Sequence, residues 1–136
     1  MKLLATDMDG TFLRDDKAYN DEFNDLYKQM LKQGIQFVIA SGNQYEALVC
    51  KFDDDIKDDL YYLCENGTKI VYRGDVIYKH CLETDDYQHA LNILKEDEEC
   101  MLVVSGVKHA YILKKFEDRK DFITLFIKQI LIHRKK

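Results

Sequence analysis

Apolar and polar positions change period several times along the chain, and each change marks a predicted element. Residues 2–6 (KLLAT) form a short run that reads as a buried strand. From Asn20 the period lengthens: Phe23, Leu26, Tyr27, Met30 and Leu31 fall on one helical face, with Asn20 as N-cap and Gly34 as the stop. Residues 35–40 (IQFVIA) are apolar almost throughout, as suits a strand covered on both faces. SGN at 41–43 breaks the run, and Tyr45, Leu48, Val49 and Phe52 resume helical spacing. Residues 60–64 (LYYLC) are a third strand candidate. Strand, helix, strand, helix, strand predicts a parallel sheet with right-handed crossovers.

ENGT then interrupts, and KIVYRGDVIYK reads as a hairpin turning at Arg73-Gly74. A helix is expected from about residue 84 to 96, its apolar face made by Tyr87, Ala90, Leu91 and Leu94. Residues 100–113 read as a second antiparallel pair turning at Ser105-Gly106. The pattern changes near residue 80, so the expected division is an α/β core over 1–82 and an α+β element over 83–136. Residues 114–136 are expected to be helical, yet FITLFIKQILI is apolar on nearly every side. Such a segment is buried, paired with another chain or poorly specified, and self-association through it is one expectation.

A chain of 136 residues holds one ordinary domain, and 46% hydrophobic with 33% charged residues describes a globular protein. No apolar run reaches the roughly 18 residues a membrane helix needs. The N-terminus meets Asp7 too early for a signal peptide, so a cytoplasmic protein with no membrane partner is expected. The net charge of −5 argues against nucleic acid as partner. It leaves a small phosphorylated substrate open, because a metal ion can reverse the local sign. Cys50, Cys64, Cys81 and Cys100 form no CxxC pair and read as reduced core residues. The histidines show no metal-ligand spacing.

In a parallel sheet, functional loops leave the carboxyl ends of strands. Asp7, Asp9 and Thr11 follow the first strand, and Ser41, Gly42 and Asn43 follow the second. If those strands are neighbours, both loops face one crevice. Two carboxylates beside a hydroxyl and a Gly-containing turn at a helix N-terminus suit phosphate chemistry. Free N–H groups and the helix dipole favour the anion, and carboxylates are hard ligands for magnesium. One carboxylate can be a nucleophile while the other moves protons. Simpler readings exist: an isolated DxDG is often a solvated turn. A calcium loop would need a ligand where Ala5 stands. DDDIKDD at 53–59 reads as a solvated acidic helix end, and Arg73 and Lys79 as solvent-facing hairpin residues.

DMDGTFL directly after the first strand resembles the first motif of the haloacid dehalogenase superfamily, and VIASGN resembles its second. ENGT resembles the turn of the Cof-type phosphatase subfamily, and the hairpin with the elements after residue 80 resembles the start of that subfamily's cap. The resemblance covers residues 1 to about 113. It implies a Rossmann-like parallel-sheet core in the N-terminal half, followed by the start of an α+β cap. It also implies a magnesium-dependent phosphatase of small phosphorylated metabolites. Asp7 would be the nucleophile, forming an aspartyl-phosphate. Asp9 would protonate the leaving oxygen and then deprotonate water. Mg2+ would sit between the Asp7 carboxylate, the Asp9 carbonyl and the phosphate. Ser41 would bind phosphate through its hydroxyl, helped by backbone N–H groups around Met8, Gly42 and Asn43. Thr11 would brace the loop, and Asn66 and Gly67 would shape the crevice.

The sequence departs from that family in its second half. No lysine takes the third-motif role, and the only Gly-Asp, Gly74-Asp75, lies in the predicted hairpin without the following acid of a GDxxND motif. The chain therefore reads as a truncated form with fewer metal ligands and weakened turnover. The expectations are a working phosphatase, a non-catalytic phosphate- or metal-binding form, or a self-associating module that keeps the first half of the fold.

Overall fold

The computed structural model describes residues 2–106, 109–119, 121 and 130–133. The chain divides into two compact units, Met1–His80 and Cys81–Lys136.

The first unit is built on a five-stranded sheet in the order β1 (Lys2–Asp7), β2 (Ile35–Ala40), β3 (Tyr61–Cys64), β4 (Lys69–Tyr72), β5 (Asp75–Lys79). Strands β1, β2 and β3 are parallel, and β4 and β5 continue the sheet antiparallel. Helix α1 (Phe23–Lys32) connects β1 to β2, and the short α2 (Tyr45–Val49) lies between β2 and β3. The register places Asp7 opposite Ala40, and Ala40 opposite Leu63. The three parallel strands thus end level, and the segments that follow them emerge at one edge.

Central position explains the apolar run of β2: Phe37, Val38 and Ile39 are all buried, on both faces of the sheet. Strand β1 was expected to be buried and is not. It pairs only with β2 among the described residues, and Leu3 and Leu4 are 61% and 49% exposed. An apolar run therefore marks a strand without showing that both of its sides are covered.

Helix α1 buries Phe23, Tyr27 and Met30 at helical spacing. Leu26, expected on that face, lies at its flank and is exposed. The helix also starts later than the Asn20 cap predicts. Asn20 instead closes a turn ahead of it, its side-chain oxygen accepting from the Glu22 N–H at 3.0 Å and its carbonyl from the Phe23 N–H at 2.9 Å. Glu22 occupies the N-cap position. Gly34, at φ 71°, stops the helix as expected.

Aromatic rings fill the space between α1 and the sheet. Phe12 lies 4.7 Å from Phe23, 5.5 Å from Phe37 and 6.1 Å from Phe52, centroid to centroid. With Met8 and Leu13 buried beside it, the loop after β1 is anchored in the core. The hairpin turns at Arg73 and Gly74, both left-handed at φ 52° and 79°, as a tight two-residue hairpin turn requires. The acidic run 53–59 is not a helix end but a series of turns pinned by buried Ile56. Its acids find local partners: Asp53 accepts from Tyr19 and Asn24. Asp55 pairs with Lys28, Asp54 with Lys57, and Asp59 with Arg73.

In the second unit α3 (Thr84–Leu94) is followed by a three-stranded sheet, β6 (Val103–Ser105), β7 (Ala110–Leu113) and β8 (Ile130–His133). Strands β6 and β7 are antiparallel, and β8 runs parallel to β7. Of the helix expected over 114–136, the described residues keep an α-helical position only at Asp121. Lys114–Arg119 is a 3-10 segment pinned by buried Phe116, and Ile130–His133 is a strand. A short run rich in isoleucine fits a covered strand as well as a helix, and its period does not separate the two. Most of FITLFIKQILI, and with it the expected self-association surface, lies outside the described residues.

The anchoring of the β1 loop can be measured. Phe12→Ala removes a half-buried ring from four aromatic contacts and should cost about 2–3 kcal/mol in urea unfolding. A loss below about 0.5 kcal/mol would show that the loop is not held by its ring.

Candidate active site

Side-chain alternation at the end of β1 decides which groups reach the edge. Met8 is fully buried, while Asp7 and Asp9 on either side of it are exposed. One intervening residue is the spacing that puts two carboxylates on one side and an apolar anchor on the other. Gly10, at φ 74°, then reverses the chain. The Met8 carbonyl accepts from the Leu13 N–H at 2.8 Å, and both Asp7 and Met8 carbonyls accept from the Phe12 N–H.

The loop after β2 meets this one through a side chain. Asn43 Nδ2 donates to Asp9 Oδ2 at 3.2 Å. Ser41, buried, accepts the Asn43 backbone N–H on its hydroxyl oxygen at 3.1 Å. With its oxygen serving as acceptor, the Ser41 O–H retains its proton to donate.

The turn after β3 locks the second loop from beneath. Ser41 N–H donates to the Leu63 carbonyl at 3.0 Å, Asn66 N–H to the Ser41 carbonyl at 3.2 Å, and Glu65 N–H to the Asn43 carbonyl at 3.1 Å. Glu65, Asn66 and Gly67 all have positive φ, at 53°, 57° and 93°. That conformation is uncommon for glutamate, and the donors it aims at the SGN loop explain why it persists. A Cβ on Gly42 would lie 3.0 Å from Asn66 Oδ1, so glycine permits this close approach.

A cation that sequence reasoning did not single out completes the cluster. Lys17 Nζ lies 2.9 Å from Asp9 Oδ1. Nothing in the spacing of RDDKAYND marks Lys17; only the turn that folds it back brings it here. Its hydrogen bond holds the Asp9 carboxyl below the usual carboxylate range. Burial opposes that shift, while the Lys17 charge, the Asn43 bond and the more distant Lys51 charge add to it. Because the folded value is depressed, the pair stabilises the fold above the ordinary carboxylate range. That contribution is lost as pH falls through the folded value. Both side chains are largely exposed, so the effect is small.

The structure thus joins Asp9, Asn43, Ser41, Gly42 and Asn66 in one hydrogen-bonded and close-packed set. Asp7 stands at the same edge through the strand register. Thr11 is exposed; it joins the loop through its N–H, 3.5 Å from the Met8 carbonyl. It also lines, with Phe12, Asn20 and Leu26, a shallow cavity of about 560 Å³ that includes neither aspartate. The helix following Asn43 spans only Tyr45–Val49, so its dipole is much weaker than the expectation supposed.

Among the described residues no cluster of three or more His, Cys, Asp or Glu forms a metal cage. The donors present, two carboxylates and nearby carbonyls, are hard oxygen ligands. They fit magnesium, which keeps several waters and typically takes one or two carboxylates.

An α/β sheet with an Asp-x-Asp loop, a serine loop and an Asn-Gly turn at one edge is the architecture of haloacid dehalogenase-like hydrolases. Residues 4–135 match that family, and the chain belongs to it, in its Cof-type branch. Among its relatives, the chain is 41% identical over 119 residues to 5-amino-6-(5-phospho-D-ribitylamino)uracil phosphatase YbjI of Escherichia coli (strain K12). That match covers 87% of this chain and 44% of the relative. The solved structure of SMU.1108c from Streptococcus mutans UA159 superposes with a TM-score of 0.86 at 28% identity, over 98% of this chain and 51% of that one. A haloacid dehalogenase-like hydrolase from Bacteroides thetaiotaomicron shares the fold with a TM-score of 0.77 at 16% identity, over 98% and 52%. The chain spans about half the length of these relatives.

The pairing at Asp9 predicts an order of effects. Followed by carboxyl carbon NMR, the Asp9 midpoint should move up in both Lys17→Gln and Asn43→Ala, and further in Lys17→Gln. An unchanged midpoint in Lys17→Gln would show that the ion pair is not populated in solution.

Proposed function

We propose that this chain carries the nucleophile-bearing half of a phosphatase site and acts on phosphomonoesters of small metabolites. The observation that supports this most is the Asn43–Asp9 hydrogen bond at 3.2 Å, which ties the Asp-x-Asp loop to the serine loop. A phosphoryl group at that junction meets a carboxylate on one side and donors on the other. The E. coli relative's name, a phosphatase of a phosphoribityl compound, agrees with the substrate class.

In this reading an Asp7 carboxylate oxygen attacks phosphorus as the bond to the leaving oxygen breaks. Asp9, which must first take up a proton against the depression that Lys17 imposes in the free protein, gives that proton to the leaving oxygen, and an aspartyl-phosphate remains on Asp7. Water then attacks the phosphorus, Asp9 takes its proton, and the bond between Asp7 and phosphorus breaks to release inorganic phosphate. Ser41 O–H and the N–H groups around Met8, Gly42 and Asn43 hold the non-bridging oxygens as charge develops on them. Glu65 and Asn66 position the serine loop, and Gly67 shapes the crevice beside them. Magnesium would be held by the Asp7 carboxylate and the Asp9 carbonyl, and would supply positive charge that offsets repulsion between carboxylate and phosphate. The setting is a cytoplasmic one, and the second unit serves as part of a cap.

A second reading is phosphate binding without turnover. Hydrolysis of an aryl phosphate with magnesium separates the two. Asp7→Asn should fall to background, and Asp9→Asn by about 10²–10⁴-fold. Equal rates in wild type and Asp7→Asn would end the catalytic reading.

A further inference from the structure

Lys17 is placed with more care than an incidental surface lysine needs. Its turn is closed by the Arg14 N–H on the Ala18 carbonyl and the Lys17 N–H on the Arg14 carbonyl, each at 2.9 Å. Within it the Asp16 carboxylate accepts from the Ala18 N–H at 3.0 Å and lies 3.6 Å from Arg14 Nε. Lys17 sits at its tip in the left-handed region, at φ 64°, a conformation a lysine seldom adopts. The result is an ammonium group delivered back over the loop after β1 onto Asp9, from a stem that is 63% exposed.

We propose that Lys17 is a phosphate-binding cation: its ammonium leaves Asp9 Oδ1 and contacts the oxygens of the phosphoryl group that enters between the two loops. The proposal rests on the phosphatase reading above. An exposed ion pair is screened and weakly held, so an arriving dianion competes well against a single carboxylate for the same ammonium. Lysine suits the exchange because its charge is compact and its flexible stem can swing without backbone movement. Asp9 keeps its bond to Asn43 through Oδ2 and is left with Oδ1 open towards the reacting group. The exchange also sets a protein cation against the phosphate beside two acidic side chains. Lys51 acts on Asp9 through charge alone and makes no hydrogen bond to it, so it is the natural comparison.

The test is calorimetric titration of the full 136-residue chain with orthophosphate and orthovanadate, with melting curves to confirm folding. Lys17→Gln should weaken binding about tenfold, as expected for a lost charge-assisted hydrogen bond. Lys17→Arg should recover most of it, and Lys51→Gln should change affinity less than about threefold. Wild-type affinity in Lys17→Gln would overturn the proposal and leave the phosphate site standing. An equal loss in Lys51→Gln would also overturn it, since bulk charge would then account for the effect. Failure of wild type to bind either anion would overturn the phosphate site itself and Lys17's role with it.

Discussion

Burial of Met8 between two exposed aspartates is the constraint from which the rest of the site follows. With Met8 anchored in the core just past the end of β1, Asp7 and Asp9 on either side of it are left exposed. Phe12 and Leu13 then pin the far end of the same loop, and Gly10 supplies the reversal between the two anchors. Packing beneath the loop sets where both carboxylates emerge, and Lys17 and Asn43 then hold that of Asp9.

Strand register carries the constraint outward. Because β1, β2 and β3 end level, the loop with Ser41 and the turn with Asn66 reach the same edge as Asp9. Each element then holds the next: Glu65 and Asn66 grip the backbone of the serine loop, and Asn43 of that loop grips Asp9. Three consecutive left-handed residues at 65–67 are the conformational cost of that grip. Gly42 keeps the approach to Asn66 open.

Much of this was legible in the amino-acid order because it rests on local rules. IQFVIA, with apolar side chains on both faces, is a central strand, and Arg73-Gly74 turns a hairpin. DMDGT after a strand places carboxylates at a sheet edge. What was not legible depends on non-local closure. The exposure of Leu3 and Leu4 follows from strand order, which no local pattern of β1 encodes. Lys17 reaches Asp9 across eight residues through a turn that its own composition does not announce. The strand at Ile130–His133 was hidden because an apolar run without a clear period fits helix and strand alike. Asn43 was expected to act through its backbone, and its side chain proved to make the link to Asp9.

The proposed phosphoryl site draws on three loops at one sheet edge of the first unit. Amide NMR of the chain titrated with orthovanadate and magnesium tests it most directly. Saturable shifts concentrated at residues 7–11, 41–43 and 65–67 are expected. Absence of shifts there, or saturable shifts confined to α3 and the second sheet, would contradict it.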